Sequence, residues 1–207
     1  MPSEPITAFI MSRLRLVIWS VSALGLAVTA GMRAFGGEGE LPVLFDVRPF
    51  SLVDQEGRPF ASTSLRGHPW IGAFVFTTCK TICPMITSQQ GNVARRLRDV
   101  PAIRFVSITV DPAHDTPAVL RAYGERHRAD FARWSFLTGE PAVVQRVVEG
   151  GLFQPIGERE ARPDGAWDIV HTGRLLLVDA EGRARRLYAL DAASLAQLER
   201  DARDLAP

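Results

Sequence analysis

The chain has 207 residues, 46% of them apolar and 23% charged, which is enough for a packed core and too apolar for a disordered protein. Lys+Arg of 24 against Asp+Glu of 23 leaves a net charge of +1, excluding a strongly basic nucleic-acid binder and an acidic tail. Two cysteines exclude a four-thiolate zinc site, an iron–sulfur cluster and a disulfide-dense miniprotein; they leave one disulfide, one redox pair or part of a small metal site.

From the N-terminus, Arg13 and Arg15 lead into Leu16–Met32, a run without charge at the lower limit of a membrane-spanning helix (~17–25 residues). The leading arginines place residues 1–15 in the cytoplasm and the rest of the chain outside it. Val28-Thr29-Ala30 has the small residues of a signal-peptidase site, so a cleavable signal competes with the anchor that is preferred here. Residues 33–40 read as a Gly/Glu-rich linker, and 41–207 as the exported domain.

Within that domain, Asp54-Gln55-Glu56-Gly57 is a turn between two short strands, Phe50–Val53 and Arg58–Phe60. Trp70–Phe76 is a continuous apolar run, the pattern of a strand covered on both faces. Thr77-Thr78-Cys79-Lys80-Thr81-Ile82-Cys83-Pro84 follows, then a helix expected over Pro84–Arg98, with Pro84 in its first turn. Ile103–Val110 reads as a second buried strand. Thr116 caps a helix that opens on Pro117. Ser135–Leu137 is a short strand, Pro141–Gly150 a helix, and Gly151–Trp167 a long loop. Leu175–Val178 and Arg186–Tyr188 make a hairpin across the turn Asp179–Gly182, and Asp191 caps a last helix. Strand–helix–strand alternation ending in a hairpin and a helix predicts an α/β layered domain, and a cysteine pair at the strand-to-helix junction predicts a thioredoxin-like one.

Cys79 and Cys83 are four residues apart. If the helix begins at Cys79, both sulfurs share one side of its first turn, where the helix N-terminus favours thiolate. Two thiolates there can close a disulfide, exchange disulfides or clamp a soft metal ion; copper(I) accepts two thiolates, and an imidazole lets the same site hold copper(II). Among the four histidines, His68, His114 and His127 read as solvated loop or helix residues. His171 follows the long loop and precedes the strand at Leu175, where a metal ligand and an ordinary strand-end histidine are both open readings.

At these residues the chain resembles the SCO/SenC family, membrane-anchored copper-binding proteins of thioredoxin-like fold that serve cytochrome c oxidase assembly. Phe74–Pro84 resembles the family's hydrophobic strand and C-x-x-x-C-P site, and Thr109–Pro117 its D-P-x-x-D-T-P signature. His171-Thr172, with Leu175–Gly182 after it, resembles its H-[ST] motif and following hairpin. The likeness spans roughly Phe45 to Asp201. It implies an α/β thioredoxin-like domain with an N-terminal β-hairpin extension, preceded by a single transmembrane helix of the bacterial inner membrane, with the domain in the periplasm. It also implies that Cys79, Cys83 and His171 bind one copper ion, Cu(I) or Cu(II). Two departures stand out: Lys80 where many members have proline, and Val170 where many have aspartate. Neither removes a ligand. The expected activity is copper delivery to the dinuclear copper centre of oxidase subunit II, with another periplasmic copper chaperone as a further partner. The alternative is a thiol–disulfide oxidoreductase in which Cys79 and Cys83 are the redox pair. A peroxiredoxin-type peroxidase is disfavoured, because Lys80-Thr81-Ile82-Cys83 fits its motif only with a residue dropped.

Overall fold

The computed structural model describes residues 41–154 and 173–207, together with the backbone of 159–161 and 167–169. The expected cytoplasmic segment 1–15, anchor 16–32 and linker 33–40, and the residues Val170 and His171, lie outside the described residues. Among the described residues no helix is long and apolar enough to cross a membrane. Pro42–Pro207 forms one compact unit.

Its framework is a six-stranded sheet. The strands are β1 (Phe45–Asp46), β4 (Trp70–Val75), β5 (Arg104–Thr109), β6 (Trp134–Leu137), β9 (Leu175–Val178) and β10 (Arg183–Tyr188), in spatial order β1-β10-β9-β4-β5-β6. Every residue of β4 and β9 is buried, as their unbroken apolar runs require. β4, β5 and β6 are parallel, whereas β9 returns antiparallel to β4, with Trp70 opposite Val178 and Gly72 opposite Leu176. The β4→β5 and β5→β6 crossovers carry helices α1 (Ile82–Arg96) and α2 (Pro117–Arg126). Right-handed crossovers running the same way along a sheet put both helices on one face. A buried Thr87–Tyr123 hydrogen bond of 2.8 Å joins them there. The last helix, α4 (Ala192–Asp204), meets α1 through the Arg96–Glu199 ion pair at 2.5 Å. The short α3 (Pro141–Gln145) runs into a π-helical turn at Arg146–Gly151.

Two turns share the sequence Asp-x-Glu-Gly-Arg, at Asp54–Arg58 and Asp179–Arg183. In each the aspartate accepts the N–H of residues two and four ahead and pairs with the arginine Nε, while the glycine takes a positive φ, +78° at Gly57 and +79° at Gly182. The first turn closes the predicted hairpin, β2 (Ser51–Val53) with β3 (Pro59–Ala61), and the second joins β9 to β10. One buried polar side chain fixes α1 on the sheet. Gln90 donates to the carbonyls of Ile71 (3.0 Å) and Val106 (3.3 Å) and accepts from Ser107 Oγ (2.9 Å), which in turn accepts from Trp134 Nε1 (2.9 Å).

Several boundaries differ from those predicted. α1 runs over Ile82–Arg96 where Pro84–Arg98 was expected, and Cys79 precedes it. The loop expected over Gly151–Trp167 contains β7 (Arg159–Ala161), paired with β8 (Trp167–Ile169). The helix expected over Pro141–Gly150 is α-helical only to Gln145, and β1 is an additional edge strand.

Packing under α2 is close at Gly124, where an added Cβ would lie 2.7 Å from the Phe131 ring and 3.0 Å from that of Phe136. Rigid rings cannot swing aside as a methyl can. Gly124→Ala should therefore destabilise the domain by about 1–3 kcal/mol in urea unfolding. Gly150→Ala, with nothing within 4 Å of its new methyl, should change stability by less than about 0.5 kcal/mol.

Candidate metal centre

β4 delivers the chain to the cysteine loop. After Phe76, Thr77 is held by a carboxylate from the neighbouring crossover. Asp115 accepts Thr77 N–H (3.1 Å to Oδ2) and Thr77 Oγ1 (2.5 Å), and also Thr109 Oγ1 at the end of β5 (2.5 Å). Asp115 is fully buried. Burial raises its pKa, the threonine hydrogen bonds oppose that rise, and the nearby Asp111 charge adds to it. The cap of α2 is its neighbour Thr116, which accepts from Val119 N–H.

Cys79 then turns back, its N–H donating to Phe76 O at 3.3 Å. Thr81 occupies the N-cap position of α1 but makes no side-chain cap. The sulfur of Cys79 does that work instead, accepting the Cys83 N–H at 3.4 Å, with Thr81 Oγ1 at 3.5 Å. A sulfur facing the orphan amides of a helix start is in a field that favours thiolate. The Cys79 thiol is lowered to about 4. The hydrogen bond from the Cys83 side chain is the largest cause; burial opposes it, and Thr81 and the backbone amides contribute further. Both cysteines are buried and free of a disulfide. Tyr123 has its hydroxyl pKa raised, first by burial and further by negative charge at Cys83, Cys79 and Asp115.

His68 sits at the opposite end of β4 with Nδ1 3.1 Å from Ala102 O, His114 is exposed in the 111–115 turn, and His127 packs partly buried on the Tyr123 ring (4.5 Å). Burial lowers the His127 pKa, with Arg126 adding. His127 is thus more enclosed than the solvated face expected for it. Among the described residues no three of His, Cys, Asp and Glu cluster as a metal set. His171 lies outside them, but its surroundings in the chain are informative. β9 runs antiparallel to β4, so its start at Leu175 lies toward the cysteine end of the sheet. Gly173 reaches Ile82, the first residue of α1: a Cβ there would be 2.5 Å from Ile82 Cδ1. Sequence reasoning did not single out Asp115 as a tether or Gly173 as a close approach. A glycine two residues after a candidate ligand was the signal available for the second.

Two adjacent sulfurs, one of them strongly acidic, suit a soft ion or thiol exchange. The SCO1/SenC family profile matches residues 45–206. The chain is 29% identical to the SCO1 protein homolog of Bacillus subtilis over 71% of its own length and 75% of that protein's. Among solved structures it is similar to Bradyrhizobium japonicum ScoI with copper bound (27% identity, TM-score 0.61, covering 75% of this chain and 98% of that one). It is similar also to BsSco, a member of the Sco family of cytochrome c oxidase assembly proteins in which a disulfide switch was identified (25%, TM-score 0.67, 79% and 95%).

The acidity of Cys79 can be read by ultraviolet thiolate absorbance. In the reduced protein its midpoint should lie near pH 4, against ~8.5 for an ordinary thiol, and Cys83→Ala should move it upward. The folded pKa is depressed, so the stability it contributes is complete above the unfolded value and is lost as pH falls through about 4. A wild-type midpoint in the ordinary thiol range would contradict the assignment.

Proposed function

This chain is a member of the SCO1/SenC family, and from that premise we propose that it is a copper metallochaperone that holds one ion on Cys79, Cys83 and His171 and passes it to the dinuclear copper centre of oxidase subunit II. One observation carries the reading: two hydrogen-bonded cysteines, not joined in a disulfide, at a helix N-terminus, the first lowered to about 4. Cys79 then offers thiolate to copper(I) without first having to lose a proton at neutral pH. The contact of Gly173 with Ile82 supports His171 as the nitrogen that adds copper(II). Copper is the cargo, and transfer is ligand exchange: an acceptor thiolate enters as one of the two sulfurs leaves. The copper-bound state of Bradyrhizobium ScoI favours the same reading.

The second reading is a thiol–disulfide oxidoreductase that keeps acceptor cysteines, or those of another periplasmic copper chaperone, reduced. An acidic Cys79 favours it too. Its thiolate would attack a disulfide, and Cys83 would resolve the mixed disulfide. The proposed setting for either role is a single-pass anchor at residues 16–32 with the domain in the periplasm. A C-terminal alkaline phosphatase fusion should then be active, and an inactive fusion would reverse the orientation.

Removing one imidazole separates the two chemistries. His171→Ala leaves both sulfurs and the helix start intact, so disulfide exchange should persist within a few-fold. Copper(II) binding, followed anaerobically by the sulfur-to-copper charge-transfer band, should weaken by at least about 10–100-fold. Cys79→Ser or Cys83→Ser should abolish the band. Oxidase assembly under limiting copper should fail in His171→Ala about as badly as in Cys79→Ser. Normal oxidase in His171→Ala alone would make thiol exchange the working chemistry.

A further inference from the structure

At the far end of α1 from the cysteines lies a cavity of ≈ 150 Å³ lined by Gly91, Ala94, Arg95, Arg98, Arg128 and Trp134, together with Phe105, Asp130 and Arg133. From Cys83 to Arg95 is twelve residues of helix, ~18 Å at 1.5 Å per residue, so this place is separate from the thiols. Its floor is apolar: Phe105 and Trp134 are buried, and Gly91 contributes no side chain, leaving its missing Cβ 3.5 Å from both Arg95 Nη1 and Trp134 Cζ3. Its rim carries four arginines against one aspartate.

The ordinary explanation for arginines here is neutralisation of helix C-termini. That need is already met. The carbonyls at the end of α1 and beyond it are taken by Arg133, which donates to Leu97 O, Val100 O and Ile103 O, and by Arg203, which donates to Arg96 O. The end of α2 is closed by backbone N–H groups, from His127 to Tyr123 O, Arg128 to Glu125 O and Ala129 to Gly124 O. Among the described residues the guanidinium groups of Arg98 and Arg128 make no hydrogen bond and no ion pair of their own. Arg128 moreover sits at φ +56°, a left-handed position where glycine is the unstrained choice and a longer residue is strained.

We propose that this cavity is a phosphate-ester site. Arg95 stands on the last turn of α1, Arg98 just past the end of that helix and Arg128 just past the end of α2, so the three reach the cavity from different points. A tetrahedral oxyanion accepts guanidinium forks from several directions, whereas a carboxylate offers one planar edge to one fork. The apolar floor takes the organic part of the ester. A soluble phosphate ester and the headgroup of an anionic phospholipid present the same chemistry, and the experiment tells them apart.

The full chain, kept in solution by an uncharged detergent, is titrated calorimetrically at constant ionic strength with inorganic phosphate, glycerol phosphate and a short-chain phosphatidylglycerol; short-chain phosphatidylcholine is the zwitterionic control. Saturable binding of glycerol phosphate assigns a soluble ester, and saturation by phosphatidylglycerol alone assigns the headgroup. Arg98→Gln and Arg128→Gly should each weaken that binding at least about tenfold, the loss of a charge-assisted hydrogen bond. Arg128→Gly also relieves the backbone, so its Tm should be unchanged or higher, and lost binding there cannot be misfolding. The copper charge-transfer band should be unaltered in both variants. No saturable binding by any of the three anions, phosphatidylcholine binding as well as phosphatidylglycerol, or equal binding in wild type and both variants would overturn the site while leaving the copper reading untouched.

Discussion

The carboxylate of Asp115, with no exposure to solvent, joins the C-terminal ends of the two central strands. Thr77 follows β4, Thr109 closes β5, and both donate to it. Burying a charge costs several kcal/mol unless its oxygens are satisfied, and here hydroxyl and amide donors from two strands satisfy them. The carboxylate still sits above its ordinary pKa, burial being the first cause. A raised carboxylate pKa means that stability falls as pH rises through the carboxylate range, because the folded state holds its proton longer than the unfolded one. Ionising Asp115 therefore lowers stability relative to its protonated form, and what the carboxylate supplies is positional: Thr77 is held two residues before Cys79.

With Thr77 fixed, the cysteine loop is short enough that Cys79 must fold back over the start of α1. The C-x-x-x-C spacing divides the pair between two environments. Cys83 is inside the helix and fully buried; Cys79 is outside it, with its sulfur in the place of the capping oxygen that Thr81 does not supply. The helix start lacks a conventional cap worth about 1 kcal/mol, and the thiolate replaces it. The Cys83 N–H thus both completes the helix start and adds to the acidity of the sulfur, whose largest cause is the hydrogen bond from the Cys83 side chain. Whatever takes the sulfur, whether a metal ion or a disulfide partner, draws it from the helix N-terminus, which couples chemistry at Cys79 to the order of the first turn of α1.

The framework was legible because its signals are local. The apolar runs at Trp70–Phe76 and Leu175–Val178 became central strands, the two Asp-x-Glu-Gly turns closed hairpins, and Thr116 and Asp191 capped helices as their positions suggested. The errors arose where a distant partner decides. The helix expected from Pro84 opens two residues earlier, at Ile82, and the conditional start at Cys79 does not hold, because the Cys79 sulfur lies outside the helix as its cap. Arg159–Ala161 and Trp167–Ile169 pair through the backbone across a polar, Pro- and Gly-containing stretch that carries little strand propensity. Asp115 was legible only as a position of the D-P-x-x-D-T-P signature; its role as a tether depends on Thr77, 38 residues earlier.

The two ends of α1 explain how a chain of net charge +1 can carry strongly different local fields. Its N-terminus contributes partial positive charge where the thiolate sits, and its C-terminus partial negative charge where arginines gather. The thiol end is made acidic by hydrogen bonding within a buried pair, so its chemistry is governed by contact geometry more than by net charge. At the base the helix field opposes an anion, and a bound phosphate must be held by guanidinium charge in excess of what the helix end absorbs. Arg133 and Arg203 already cover the exposed carbonyls, which leaves Arg98 and Arg128 as that excess. One helix therefore spans two sites of opposite electrostatic logic, a soft electron-rich pair at its start and a hard cationic pocket at its end, and a ligand suited to one is repelled by the other.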